Sequence, residues 1–319
     1  MMPNITIIMD FLLMGFSDQR EFQFLHFVVF LLMYLAILIG NLLLIILVVM
    51  NNHLQKPMYF FLVNLATVDL GSTSVTIPRS MASALMNTRK ISYSECAVQM
   101  FFFVFFLSSD LFLLTAMAYD RYVAICHPLH YMSMMQWRSC FQMAGAAWML
   151  GFLNAAMHAG TLFSLPFCSK VIHQFFCEIP HLMKISCFDP KFSEIRFLLF
   201  SALLGVVSFI LIIMSYVKIF KTVLSMSLVA SRQKAFSTCI PHLLVVCLLL
   251  GTGILSHFIP NSGSSYNWDV VLAVIYSMIP PMMNPVIYSM KNKDIKAALL
   301  KLFNQRITNQ IQNLLKFNS

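Results

Sequence analysis

Long apolar runs separated by short polar punctuation form the pattern of this chain. Seven such runs recur, at roughly 24–50, 58–80, 97–122, 139–163, 197–220, 236–259 and 269–290. None shows the strict alternation of a strand with one face toward a water-filled lumen. Each is long enough, at about 1.5 Å per residue, to cross a hydrocarbon core of about 30 Å as a helix. In lipid every backbone polar group needs an internal partner, and a helix supplies one within the segment itself. The pattern predicts an all-α membrane protein, a seven-transmembrane helix bundle. The fourth run is the least clean, because Asn154, His158 and several glycines interrupt it. The start of the second is blurred by "NNHLQKP", where Lys56 and Pro57 punctuate. Beyond the seventh run, "KNKDIKAALLKLF" sets Ile295, Leu299, Leu302 and Phe303 at helical spacing, with Lys291, Lys293, Lys296 and Lys301 among them. That is a short C-terminal amphipathic helix suited to the inner membrane surface. The expected organisation is an extracellular N-terminus at 1–23, the bundle at 24–290, and a cytoplasmic amphipathic helix and tail at 291–319.

Composition strengthens this reading. Of 319 residues 59% are hydrophobic and only 10% charged, where a soluble chain carries about 25% charged residues. Mean hydropathy is +0.79. The net charge of +9 does not point to nucleic acid, because the lysines and arginines fall between the apolar runs and after the last. Membrane lipid is the partner they suit. Residues 1–20 contain Asp10 and Asp18 and lack a basic start followed by a short apolar block, so no cleavable signal peptide is expected. The first helix would serve as the insertion signal.

Seven spans put the termini on opposite sides. With the C-terminus inside, thirteen of the 21 lysines and arginines lie on the inner side, which favours an outer N-terminus by the positive-inside rule. Eight of the twelve acids would lie outside. Asn4-Ile5-Thr6 is a glycosylation sequon at that predicted outer terminus. Four of the eight cysteines are also outer: Cys96, Cys168, Cys177 and Cys187. Disulfides persist in that compartment, and four cysteines allow three pairings. Cys126, Cys140, Cys239 and Cys247 read as free buried thiols.

Charges inside a bilayer are costly and mark function. Asp69 and Asp110 each lie eleven residues from the inner end of their runs, about 16 Å deep. Asn41 lies at a similar depth and Asn284 is somewhat shallower. Two carboxylates at one level have four readings: a shared proton, a bound cation, a catalytic dyad for peptide hydrolysis, or hydrogen-bonded packing polarity. The dyad lacks water-activating partner motifs. There is no H-E-x-x-H, P-loop or G-x-S-x-G, and the histidines make no metal-spaced cluster with cysteine. No enzyme is expected. His158 and His257 lie toward the outer halves of their runs, where each could meet a ligand or sit satisfied in the core. In "IPPMMNPVIYSM", Pro280, Pro281 and Pro285 each remove a backbone bond and mark a bend.

These residues resemble a known family. "GN" at 40–41, "PMYFFLVNLATVDL" at 57–70, "MAYDRYVAICHPLHY" at 117–131, "SY" at 215–216, "KAFSTCIPHLLVV" at 234–246 and "PMMNPVIYSMKNKDIKAAL" at 281–299 together resemble the olfactory receptors of the rhodopsin-like G-protein-coupled class. The resemblance spans essentially the whole chain. It implies a plasma-membrane receptor for small volatile organic odorants, acting through a heterotrimeric G protein of the stimulatory olfactory type and cyclic AMP. It implies pairings Cys96–Cys177 and Cys168–Cys187. By the same resemblance Asp69 and Asp110 are sodium-site acids, and no other cofactor is implied. Asp120, Arg121 and Tyr122 form the switch at the G-protein face, with Asn284, Pro285 and Tyr288 as its counterpart on the last helix. Movement of the sixth helix would open a groove lined by Arg121, Tyr216, Lys234 and Tyr288. Two positions depart from the family. Leu249-Leu250-Gly251 stands where many members have "FYG", which implies a more apolar pocket floor. Asp110 stands where glutamate is common, which changes the reach toward a cation.

An odorant would bind in the outer half of the bundle and shift a conformational equilibrium. Helix geometry and family position point to a mainly apolar pocket. It would draw Phe103, Val104, Leu107 and Ser108 from the third run and Phe200, Ser201 and Leu204 from the fifth. The sixth would add Leu250, Gly253 and His257, and the seventh Val274, Ser277 and Met278. The alternative from another class is an ion- or proton-coupled transporter that uses Asp69 and Asp110. Seven non-repeated spans argue against an inverted-repeat transporter.

Overall fold

The computed structural model describes residues 9–14, 19–86, 88–187, 193–258, 266–291 and 294–302. Seven long helices cross it: α1 (Arg20–Met50), α2 (Pro57–Met86), α3 (Tyr93–Cys126), α4 (Trp137–Leu162), α5 (Ser193–Ser225), α6 (Val229–Phe258) and α7 (Tyr266–Lys291). Each holds a stretch long and apolar enough to span a membrane. They form the bundle that the apolar runs predict. α3 is its axis and packs against α2, α4, α5 and α6, while α1 closes the ring between α2 and α7. α5 is the most lipid-exposed, with Leu199, Leu203 and Met214 facing outward.

The helices run past the apolar runs for local reasons. α3 starts at Tyr93, four residues before the run, because Ser92 and Glu95 cap it reciprocally. Ser92 Oγ accepts from the Glu95 N–H at 3.2 Å, and Glu95 Oε2 accepts from the Ser92 N–H at 3.1 Å. α2 continues through Pro78 to Met86, as helices do where neighbours satisfy the freed groups. The last helical stretch, α8 at 294–302, matches the predicted amphipathic helix over the residues described. Its Ile295 is fully buried, and Asp294 anchors it to the inner end of α2. Tyr59 donates to Asp294 Oδ2 at 3.0 Å, and Lys56 Nζ stands 3.8 Å away. Phe303 and the tail lie outside the described residues.

The outer end carries a feature that the apolar pattern does not announce. β1 (Asp10–Leu13) is the middle strand of a small sheet, antiparallel to β2 (Lys90–Ser92) and parallel to β3 (Val171–Ile172). Period-two alternation turns Phe11 and Leu13 inward, fully buried or nearly so, while Asp10 and Leu12 face out. Phe11 packs edge-on to Phe167 and stacks on Tyr93. Cys96 pairs with Cys177 and Cys168 with Cys187, the pairings the resemblance implies. The first ties the outer loop to the top of α3; the second closes a short loop within it. The free thiols need one correction: Cys140 and Cys239 are buried and Cys126 half-buried, but Cys247 is exposed, because it lies on the outward face of α6.

Close helix contact depends on two glycines. A Cβ on Gly151 would stand 2.2 Å from Ser109 Oγ and 2.9 Å from the Phe105 carbonyl oxygen, so α4 lies directly on α3 there. A Cβ on Gly71 would meet the Phe106 ring at 2.3 Å.

Candidate functional site

The deepest polar layer lies where the residue counts place it. Asp69 on α2, Asp110 on α3, Asn41 on α1 and Asn284 on α7 are all buried. Asn284 Nδ2 donates to Asp69 Oδ2 at 2.9 Å. Asn41 Nδ2 donates to the Pro281 carbonyl at 3.1 Å. The sequence explains that bond, because the N–H that would reach this carbonyl in a regular helix belongs to residue 285, a proline. Pro285 in turn touches the position where Gly40 would carry a Cβ, at 3.2 Å. Asn41 thus completes a helix that its own prolines interrupt. Asn41→Ala is expected to leave the carbonyl without a partner and cost about 1–3 kcal/mol, read as a lower melting temperature of purified receptor; Asn51→Ala, which removes only a local bond to the Leu47 carbonyl at the half-buried C-cap of α1, is the control.

Between this layer and the outer half of the bundle lies a cavity of about 20 Å³, room for about one water-sized group. Asp69, Asp110, Ser72 and Ser277 give it polar walls, and Phe103, Leu107 and Tyr276 line it toward the outer half of the bundle. Phe103, Leu107 and Asp110 are spaced by four and three on α3 and so share one face. Asp110 is 5% exposed, and its Oδ1 has no hydrogen-bond partner. Asn41 Oδ1, Asn284 Oδ1 and the Tyr288 hydroxyl are likewise buried without partners.

Of the expected ligand residues, the cavity brings together Phe103, Leu107 and Ser277. Val274 and Met278 pack with Phe103 in an apolar cluster that Phe30 and Ile77 complete. Val104 packs with Cys96 and Met100 beneath the outer sheet. Leu250 packs on the inner core, Leu204 and Gly253 are half-buried, and Phe200 is 43% exposed. The His257 side chain lies outside the described residues. Ser108 and Ser201 belong to a separate polar chain across three helices. His158 Nε2 lies 2.6 Å from Ser201 Oγ, Ser201 donates to Asn154 Oδ1 at 2.6 Å, and Asn154 Nδ2 donates to Ser108 Oγ at 2.9 Å. The serine proton is committed to Asn154, so the proton between His158 and Ser201 sits on Nε2. The polar residues of the fourth run therefore face its helical neighbours.

Residues of the outer loop join the site without having been foreseen. Phe176 is fully buried between Phe103 and Tyr276. Glu178, buried beside it, accepts from the Tyr276 hydroxyl and, at 3.1 Å, from Gln174. His181 Nδ1 stands 2.6 Å from Glu178 Oε1, at ion-pair distance but off the hydrogen-bond line. Gln99 accepts from the Cys177 N–H at 2.9 Å and donates to the Val75 carbonyl at 3.0 Å, which fastens this roof to α3 and α2. The adjacent cysteine was the one local signal that this loop turns inward.

At the inner end, Asp120 is fully buried and holds Arg121 through Nε at 3.0 Å and through a second guanidinium nitrogen. Its other oxygen accepts from Tyr131 at 2.8 Å. Burial, then the charge of Asp120, holds the Tyr131 phenol above its ordinary pKa, so it remains a donor. Tyr122 instead faces the surface, 2.9 Å from His127 Nε2 and under Lys218. Tyr216, Tyr288 and Arg121 are buried electrostatic neighbours; the Lys234 side chain lies outside the described residues, as does Asn4. His242, unassigned by the sequence reading, links three helices. Its Nε2 must donate to the Leu114 carbonyl at 2.9 Å, which leaves Nδ1 to accept from Tyr216 at 2.8 Å.

The comparisons agree with this geometry. A family profile described as "Olfactory receptor" matches residues 30–306. Among similar proteins, human olfactory receptor 14A16 is 45% identical over 96% of this chain and 99% of its own length. Human olfactory receptor 14J1 is 44% identical over 99% of this chain and 98% of its own. Human olfactory receptor 14I1 is 46% identical over 95% and 97%. This multi-pass membrane protein therefore belongs to the olfactory receptor family, a family of receptors and not of enzymes.

Proposed function

We propose that this protein binds a small volatile organic odorant in the outer half of the bundle and activates a stimulatory olfactory-type G protein, which raises cyclic AMP. The observation that carries the reading is the pairing of two sites on α3. Phe103 and Leu107 line the cavity at one level, and the Asp120–Arg121 pair lies at the inner end of the same helix. A ligand that prefers one helix arrangement shifts the population toward it. The shift would be felt where Tyr216, His242 and the Leu114 carbonyl bind α5, α6 and α3 together. Release of that contact would let α6 swing out and Arg121 leave Asp120, opening a groove for a helix of the G protein. The N-terminus would then be extracellular and the C-terminus cytoplasmic, an orientation supported by the lysine and arginine distribution.

A sodium ion fits the acid layer. Asp69, Asp110 with its unpartnered oxygen, and Ser72 offer the oxygen donors that hard cations take, around a cavity of matching size. Bound there, sodium would supply positive charge that holds α2, α3 and α7 together and would favour the resting arrangement. The test of the functional reading is cyclic-AMP production in cells that express the receptor with that G protein, screened against a chemically diverse volatile library. A dose-dependent response is expected; silence of surface-expressed receptor across the library counts against it.

A further inference from the structure

The cavity over Asp110 has a one-sided hydrogen-bond inventory. Ser72 Oγ donates its proton to the Asp69 carbonyl at 3.1 Å, and Ser277 Oγ donates its proton to the Ala273 carbonyl at 2.6 Å. Each hydroxyl thus shows the cavity only lone pairs. The Tyr276 proton is committed to Glu178. Asn284 Nδ2 donates one of its two protons to Asp69 Oδ2, and Asn284 is not among the residues that line the cavity. Pro280 and Pro281 line the same wall and have no N–H. They also leave the carbonyls four residues back, those of Tyr276 and Ser277, without the regular helical donor, and both residues line the cavity. Asp110 Oδ1, buried and unpartnered, completes the set. With Asp110 ionised, as a cation in the cavity would keep it, every polar atom that these groups turn on the cavity is an acceptor.

We infer that this cavity is the socket for the odorant's head group, and that it selects a compact hydrogen-bond donor, a primary ammonium or an alcohol, over a carbonyl or carboxylate. The inference rests on the receptor reading and narrows it to a ligand class. A head of one heavy atom matches a cavity of about 20 Å³. The ligand's apolar body would lie outward against Phe103, Leu107 and Tyr276. An aromatic ring such as that of Phe103 or Tyr276 also favours a cation placed over its face. An aldehyde brings a further acceptor, which only a protonated Asp110 could bond, and it offers the ionised acid no donor in return. A carboxylate adds like charge beside Asp69 and Asp110. Sodium satisfies the same acceptors as an ammonium, so the two compete for one place.

The test uses full-length receptor in phosphatidylcholine nanodiscs, in sodium-free potassium buffer. Thermal unfolding is followed against hexylamine, hexanol, hexanal and hexanoate. Hexylamine and then hexanol are expected to stabilise at concentrations about tenfold or more below those that hexanal and hexanoate require. Sodium chloride, but not added potassium chloride, should displace the hexylamine curve to higher concentration. Asp110→Asn should abolish the advantage of the amine; if that variant does not reach the membrane, the wild-type series and the sodium competition decide. Equal stabilisation by hexanal, an amine curve indifferent to sodium, or an amine advantage retained in folded Asp110→Asn would each overturn the inference. Cyclic-AMP assays of the same receptor separate the two claims. Responses to carbonyl odorants alone keep the receptor reading and remove the socket. Amine binding without signalling to any odorant keeps the socket and removes the receptor reading.

Discussion

Gly151→Val is expected to prevent the receptor from reaching the cell surface, and Gly151→Ala to lower its melting temperature. A single added carbon at this position would lie 2.2 Å from Ser109 Oγ, 2.9 Å from the Phe105 carbonyl oxygen and 3.1 Å from the Ser109 nitrogen. The serine hydroxyl can rotate away, but the two backbone atoms belong to the interior of α3 and cannot. The helices must separate, and overpacking of this kind costs about 1–3 kcal/mol for one methyl group and more for a branched side chain. Ser109 also donates to the Phe105 carbonyl at 2.8 Å, so the intruding atom disturbs that bond too. Gly145 on the same helix is the control, since a Cβ there meets nothing within 4 Å. Gly145→Ala should raise stability, as exchanging a helical glycine for alanine does by up to about 1 kcal/mol. Opposite signs for the same chemical change, read by thermal unfolding and surface staining, would place the effect at the α3–α4 contact. Equal effects would show that helix propensity alone is responsible.

Asp120→Asn is expected to raise ligand-independent signalling. Asp120 is fully buried, and one of its oxygens takes both guanidinium contacts from Arg121 while the other accepts from Tyr131. Asparagine has nearly the same shape without the charge. Arg121 cannot shed its own charge in a protein, and it is only 9% exposed. Removing one partner of a buried ion pair costs about 3–5 kcal/mol. The cost falls on the arrangement in which Arg121 stays beside residue 120, so the alternative with Arg121 turned into the bundle gains population. Tyr131→Phe should act in the same direction with a smaller effect, because Asp120 keeps its charge and loses one bond. Basal cyclic AMP at matched surface density measures both. A basal level unchanged in both variants would mean that the pair is structural and does not restrain the switch.

Much of the fold is written in hydropathy, because the bilayer imposes a one-dimensional test on each segment. A helix of about 20 apolar residues satisfies it whatever its neighbours do, so the seven spans could be read from runs alone. Their ends were harder to read. α3 begins at a capping box, Ser92 with Glu95, that stands plainly in the sequence but outside the apolar run. The common depth of Asp69, Asp110 and Asn41 was likewise legible, since residue counts convert directly into height along a helix. Which of them bond was not. Asn284 reaches Asp69, whereas Asn41 reaches Pro281, and that choice depends on how each helix is rotated about its axis. The outer sheet escaped notice for a related reason. β1 is four residues long, and its partners lie far along the chain, so no local period distinguishes it from a loop.

The candidate site divides along the same line. Phe103, Leu107 and Ser277 reach the cavity because helical spacing sets them on the faces that hold Asp110 and the prolines of α7. Phe176 and Glu178 reach it only because Cys177 is bonded to Cys96 and draws the outer loop into the bundle. The sequence by itself determined the seven spans, the depth of the acids, the breaks in α7 and the charge pair at the end of α3, all properties of position along one helix. Only the tertiary structure decided which hydroxyls and amides donate to a neighbour and which polar atoms remain open. That depends on distances of a few tenths of an ångström between helices, set where glycines such as Gly151 allow them to touch. The excess of acceptors around the cavity is a property of that arrangement, and no single segment carries it.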